Sequence, residues 1–259
     1  MTPEIILLLE AAVFGLLMGS AITAIAYRVP RGVSWFKGRS ACPHCGHMLG
    51  VLDLVPVFSW IASRGRCRYC RAPIPVRYPL TELVCAIWTV LAYLKLGLVP
   101  SLPLIAIWGY LLIGLFWIDL DYQLLPDVLT LPGTLIGLAG ALMMPDGARH
   151  AIYGMLLGSG LLWALAWGYL RLRKIEGMGG GDIKLAAMLG AVLGWQLMLL
   201  TLLLASLAGS LWGVGLMLAR RGDRMTALPF GTLLAPAALI AYLWGAGWIL
   251  AYLRLIHRG

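Results

Sequence analysis

Lipid is the solvent to which this sequence is matched. Apolar stretches long enough to cross a bilayer recur at about 5–27, 80–98, 101–118, 128–145, 150–170 and 230–253. Each is near the roughly 20 residues that carry a helix across about 30 Å of hydrocarbon. The run from Ile183 to Ala219 is too long for one span, and a break near Gly194, Trp195 and Gln196 divides it into two short ones. Inside a bilayer every backbone N–H and C=O must find a partner within the protein, which leaves helices or closed barrels. The pattern therefore predicts an all-α polytopic membrane protein with about eight transmembrane helices. Composition agrees: 61% of residues are hydrophobic and 12% charged, where a soluble domain carries about 25% charged residues.

A formal net charge of +9 invites a nucleic-acid reading. The distribution of charge argues against one, because the basic residues lie between the spans and form no basic–aromatic surface module. Sixteen of the twenty Lys and Arg fall in the segments 28–79, 171–184 and 220–229. The bias of Lys and Arg toward the cytoplasm then puts 28–79, 119–127, 171–182 and 220–229 on that side. The first apolar run follows Glu4 and precedes Arg28 and Arg31, the reverse of the charge order in a cleaved signal peptide. It reads as a retained first span with its N-terminus outside. The resulting division is 1–27 as a first transmembrane helix, 28–79 as a cytoplasmic insertion, and 80–259 as a seven-helix membrane domain.

Four of the five cysteines lie in the insertion, as Cys42-Pro-His-Cys45 and Cys67-Arg-Tyr-Cys70. Two C-x-x-C pairs at this separation have the spacing of a four-thiolate zinc site. A reducing cytosol favours metal over disulfides. Four sulfur ligands leave no open position for water, so the zinc is expected to be structural. It would supply the fold that about 50 residues scarcely reach unaided. His44 and His47 are read as bystanders, and Cys85, within an apolar run, as an ordinary membrane-helix residue.

The carboxylates are the second concentration of chemistry. Asp119, Asp121 and Asp127 share one short loop that has no Lys or Arg, against the topology bias. Downstream, Gly179, Gly180 and Gly181 precede Asp182 at the start of an apolar helix. Exposed glycine backbone can accept an extended substrate as an added strand, which would set its peptide bond beside the carboxylate. Alternatively Asp182 is a helix N-cap. Two carboxylates held close can share a proton, the ionised one activating water and the protonated one polarising a carbonyl. No serine–histidine pairing, metal-hydrolase motif or phosphate loop offers a rival chemistry.

These segments closely resemble the bacterial type IV prepilin peptidases, a group of intramembrane aspartic proteases. The matching stretches are Cys42 to His47, Val55 to Trp60, Gly65 to Cys70, Arg77 to Glu82, Ile118 to Pro132 and Glu176 to Leu185. Gly179-Gly180-Gly181-Asp182 fits the G-x-G-D signature of the group. The resemblance covers essentially the whole chain. It implies an inner-membrane endopeptidase that removes short basic leaders from prepilins and from the pseudopilins of type II secretion. It also implies methylation of the new N-terminus from S-adenosylmethionine, with the cysteine-bearing insertion the natural candidate for that activity. Asp182 matches the second catalytic aspartate; Asp119 best fits the first, with Asp121 as runner-up. Gly179, Gly181, Asp121, Asp127, Lys184 and Glu82 are candidates for substrate binding or catalytic support. Glu82 either contacts substrate or methyl donor or pairs with Arg77 or Lys184. Lys184 either tunes Asp182 or extends its ammonium to the interface. Thr23 stands where the family usually has asparagine.

Two other readings stay open on sequence: a leader peptidase without methyltransferase activity, and a non-enzymatic zinc-bearing membrane assembly factor. A transporter would want ionisable residues at mid-membrane, whereas here they gather at one face.

Overall fold

A computed structural model describes residues 2–34, 38–175, 178–218 and 229–257. Lys37, Glu176, Arg220, Arg221, Arg224 and Arg258 lie outside the described residues. The described chain is helical apart from turns and two isolated bridges in the insertion. Its helices are α1 (Pro3–Arg28), α2 (Phe58–Ala62), α3 (Arg77–Leu96), α4 (Leu102–Tyr122), α5 (Asp127–Ala141), α6 (Gly147–Arg173), α7 (Gly180–Leu218), α8 (Phe230–Ile240) and α9 (Ala246–Ile256). One π-helical turn, Ala241–Gly245, joins the last two.

Six elements among the described residues are long and apolar enough to cross a membrane by length and composition: Pro3–Arg31, Arg77–Leu96, Leu102–Tyr122, Gly147–Arg173, Gly180–Leu218 and Phe230–Ile256. The multi-pass, all-helical expectation holds, and its eight segments recur in order once two details are taken into account. The helix anticipated at 128–145 ends at Ala141 and has 15 residues, about 22 Å at 1.5 Å per residue. The 39-residue α7 is broken at Gly194, whose φ of 67° and ψ of 177° no helix contains. Only a residue without Cβ takes that conformation cheaply, and the break falls where the sequence placed it. Large apolar side chains such as Leu135, Leu156, Leu211 and Leu253 remain exposed, a surface suited to lipid rather than water.

By internal contacts the chain forms two compact units, Met1–Gly114 and Leu115–Gly259, the division falling within α4. In the first unit α1 packs on α3. Gly15 and Gly19, one turn apart, let the two backbones approach: a Cβ at Gly15 would stand 2.6 Å from Ala86 Cα, and one at Gly19 2.5 Å from Glu82 Cα. Small residues at four-residue spacing do this in membranes, where helix association depends on close packing rather than on a hydrophobic drive. The insertion is two matched turns and the short α2. In each turn the first cysteine's N–H donates across the loop, Cys42 to His47 O at 2.9 Å and Cys67 to Ala72 O at 2.8 Å. The residue after each second cysteine is left-handed, Gly46 at φ 69° and Arg71 at φ 62°. The Trp60 indole N–H donates to Ile74 O at 3.0 Å and ties α2 to the second turn.

In the second unit α7 is the central element, packed against α5, α6 and α8. Gly154 of α6 and Gly190 of α7 meet backbone to backbone, leaving no room for a Cβ on either.

Candidate active site

Asp119 lies near the C-terminal end of α4 and is 4% exposed. Its Oδ2 accepts two hydrogen bonds from one residue, the backbone N–H of Thr232 at 2.6 Å and the Thr232 hydroxyl at 2.8 Å. Thr232 is the third residue of α8, which follows Pro229. The first N–H groups of a helix have no intrahelical acceptor, and its positive dipole end favours an anion. A buried carboxylate there is the complement of that end.

Asp182 belongs to the first turn of α7, one helix position after Gly181. It is the third residue of the helix, so the N-cap alternative does not describe it. Its carboxylate senses the charge of Asp119 and the backbone N–H of Gly231. Thr232 gives both its backbone N–H and its hydroxyl to Asp119, and Gly231 precedes it in the same helix turn. A Cβ at Gly231 would stand 2.9 Å from Asp119 Oδ2, so any larger residue there presses on the carboxylate. The buried side chain of Leu125 completes the enclosure. A Cβ at Gly181 would lie 3.0 Å from Leu125 Cβ, and one at Gly231 would lie 3.1 Å from Leu125 Cδ1.

The other sequence candidates separate. Asp121 is exposed on the same helix end. Asp127 is exposed and accepts both its hydrogen bonds from Lys184 Nζ, at 2.7 and 2.8 Å. Lys184 therefore works on Asp127, a partner the sequence reading did not consider for it. Gly179 and Gly180 face open space, and none of the three glycines takes a left-handed φ. At Gly181 close approach to Leu125 is what the missing side chain provides. Glu82, on α3 in the first unit, is 8% exposed and accepts the Val57 N–H at 2.7 Å through Oε2. The Thr23 hydroxyl donates to Gly19 O within its own helix at 2.8 Å.

Thr232, Gly231 and Leu125 were missed by the sequence reading. The usable signal was Pro229-Phe-Gly-Thr232 opening an apolar run. A helix start with a glycine in its first turn should have prompted a search for an anionic partner.

The cysteines converge as their spacing predicts. The Sγ atoms of Cys42, Cys45, Cys67 and Cys70 all lie within 4.8 Å of one another, and none of these residues is in a disulfide. Cys42 and Cys70 are 3.8 Å apart; a tetrahedron with Zn–S bonds of about 2.3 Å has edges of about 3.8 Å. The backbone N–H of Cys45 holds the Cys42 thiol down to about 6, burial opposing it and the His44 N–H assisting. At Cys70 the Ala72 N–H also lowers the value, but burial and the neighbouring thiols outweigh it and push the thiol up to about 11. The donor set fits a four-thiolate metal ion. His47 lies outside it, stacked on Tyr69 with ring centroids 3.5 Å apart.

Residues 13–96 match the Bacterial Peptidase A24 N-terminal domain, and residues 104–214 match the Type IV leader peptidase family. Among curated relatives, the prepilin leader peptidase/N-methyltransferase of Aeromonas hydrophila is 45% identical over 213 residues, covering 80% of this chain and 72% of its own. The Pseudomonas putida protein of the same name is 39% identical, covering 91% and 90%. That of Stutzerimonas stutzeri is 34% identical, covering 94% and 93%. No solved structure gives a significant match. With such identity over most of its length, and with both parts of the family's architecture in order, the chain belongs to the type IV leader peptidase family.

Proposed function

We propose that this chain removes the leader from type IV prepilins and pseudopilins with Asp119 and Asp182 as its catalytic pair, then N-methylates the exposed amino group. The observation that carries the peptidase reading is the shared position of two carboxylates at one helix N-terminus, from helices 63 residues apart in sequence. One carboxylate, ionised, takes a proton from the attacking water; the other, protonated, donates to the scissile carbonyl oxygen. Thr232 fixes the Asp119 side chain, which then need not be ordered as substrate arrives. The division of labour follows 1–27, 28–79 and 80–259, with the protease in the last.

The bias of Lys and Arg supports a bacterial inner-membrane topology with the N-terminus outside and both the cysteine insertion and the aspartates toward the cytoplasm. The tetrad suits structural Zn²⁺, for which its four thiolates close the coordination shell. S-adenosylmethionine is the methyl donor that the N-methyltransferase names of the relatives suggest; when bound it supplies an electrophilic methyl group.

The test is mass spectrometry of a prepilin incubated with purified protein and S-adenosylmethionine. Asp119→Asn and Asp182→Asn should each reduce cleavage about 10²- to 10⁴-fold, the usual range for positioned acid–base groups, and Asp121→Asn should leave it within about 3-fold. Cleavage without a gain of one methyl would remove the transferase half of the reading. Normal cleavage by both asparagine variants would remove the pair.

A further inference from the structure

The insertion carries an apolar face that the described residues leave open. Val51 and Leu52, in the 3₁₀ turn Val51–Asp53, are 84% and 69% exposed. Phe58 and Ile61 of α2 are 67% and 60% exposed. Three residues apart on a helix, they lie on one side of it, and the 3₁₀ turn packs against α2. Trp60, two residues from Phe58 and so on the opposite side, is turned inward. Its indole bonds Ile74 O, and a Cβ at Gly65 would stand 2.9 Å from its ring. A contiguous group of large apolar side chains on a folded surface marks a place where a partner or a membrane covers it.

A backbone hydrogen bond sets the depth of this face. The span Arg77–Leu96 enters the bilayer from Arg77. Glu82 comes five residues later, about 7.5 Å along the helix. Its Oε2 accepts the N–H of Val57, the residue that precedes α2, at 2.7 Å. Val57 is β-branched and held at φ 62°, a conformation that persists only where the surroundings enforce it. The start of α2 is therefore drawn down beside the first turns of α3, and Phe58 follows it there.

Charge selects the occupant. Residues 28–79 hold nine Lys and Arg against one acid, Asp53, and Arg68 pairs with that acid at 3.3 Å. Arg64, Arg66 and Arg71 follow α2 and are exposed. Such a surface repels a basic leader, and it repels a second copy of itself. Guanidinium groups beside an apolar face complement lipid phosphates above acyl chains.

We propose that the 3₁₀ turn and α2 rest in the membrane interface, with Val51, Leu52, Phe58 and Ile61 at the acyl boundary and Arg64, Arg66 and Arg71 on the phosphates of anionic lipid. The inference goes beyond the proposed function and requires only that α3 crosses the bilayer. It gives the insertion an attachment to the membrane besides its two covalent ends on α1 and α3, so that the cysteine turns are held against the surface.

The experiment places the full chain, with its metal, in nanodiscs of phosphatidylcholine or of phosphatidylglycerol. Hydrogen exchange read by mass spectrometry should show Phe58–Ala62 more protected in phosphatidylglycerol. Arg64→Gln and Arg71→Gln should each lower that protection about 5-fold, the usual weight of one basic residue at an anionic surface. Phe58→Ser combined with Ile61→Ser should abolish it in both lipids, with metal content and melting temperature reporting the fold. A phosphatidylglycerol bearing a diazirine in its acyl chain should label residues 51–61 of the wild type, label on α3 serving as the internal reference. Label confined to the spans, or equal protection in the two lipids, overturns the assignment. Protection that appears only after a prepilin is added, or only with two chains in one disc, overturns it as well and gives the face to the substrate or to a second copy.

Discussion

The cysteine site and the aspartate site are held in opposite ways. Each C-x-x-C turn is closed by backbone hydrogen bonds spanning no more than nine residues, and the insertion around them buries little apolar surface. The four thiols that these turns bring together form a group that could hold a metal ion. At the aspartate site Asp119, Asp182 and Thr232 ride on α4, α7 and α8; α7 packs against α8, and Thr232 holds Asp119 by two hydrogen bonds. One site is local in sequence and offers a ligand set for a metal; the other is dispersed in sequence and assembled from separate helices.

Metal removal puts the greatest strain on that contrast. Structural zinc contributes about 10–16 kcal/mol in small domains, far more than 50 residues with so small a core could replace. Stripping the ion with a chelator, or replacing Cys67 by serine, should make residues 38–76 sensitive to protease while the Leu115–Gly259 unit stays resistant. Limited proteolysis followed by mass mapping reads both regions in one experiment. Continued protection of the insertion after the metal has been shown to leave would mean that packing alone holds it.

At the aspartate site the corresponding change is much smaller, because one donor is removed from a preformed arrangement. Thr232→Val deletes the hydroxyl bond to Asp119 and leaves the backbone N–H in place. The loss of a hydrogen bond to a charged group should lower kcat about 10- to 100-fold, and Thr232→Ser, which keeps the hydroxyl, should stay within about 3-fold of wild type. KM should change little in either, since Thr232 touches the carboxylate and not the leader. A Thr232→Val enzyme with wild-type kcat would show that the backbone N–H alone suffices.

The same contrast explains what could be read from the sequence. The cysteine site was legible down to its ligands because its whole geometry is written in two short spacings. The membrane segments were legible from hydropathy, and the break in α7 from Gly194 and its neighbours. Asp119 and Asp182 were identifiable as candidates, but Thr232 was not. It lies 113 residues from its partner, and a threonine at a helix start has many local reasons to be there. The partner of Lys184 was hidden for a similar reason: Asp127 and Lys184 are 57 residues apart, and single-sequence periodicity carries no information about which helix ends meet.

That pair supplies the smallest expected effect. Lys184 reaches Asp127 with two short bonds, yet the side chains are 48% and 54% exposed. Good geometry at such exposure is offset by solvent screening and side-chain entropy, so the coupling should be about 0.2–1 kcal/mol. A double-mutant cycle of Asp127→Asn and Lys184→Met, read by thermal unfolding, measures it free of the effect of each substitution alone. The pair also bears on substrate attraction. A basic leader drawn to the acids of 119–127 would meet an Asp127 already paired with Lys184. Asp127→Asn should therefore leave KM for a basic leader nearly unchanged, whereas Lys184→Met, which exposes the negative charge, should lower it, and more so at low ionic strength. If Asp127→Asn raises KM instead, the carboxylate leaves Lys184 for the substrate, and the two short bonds describe only the resting enzyme.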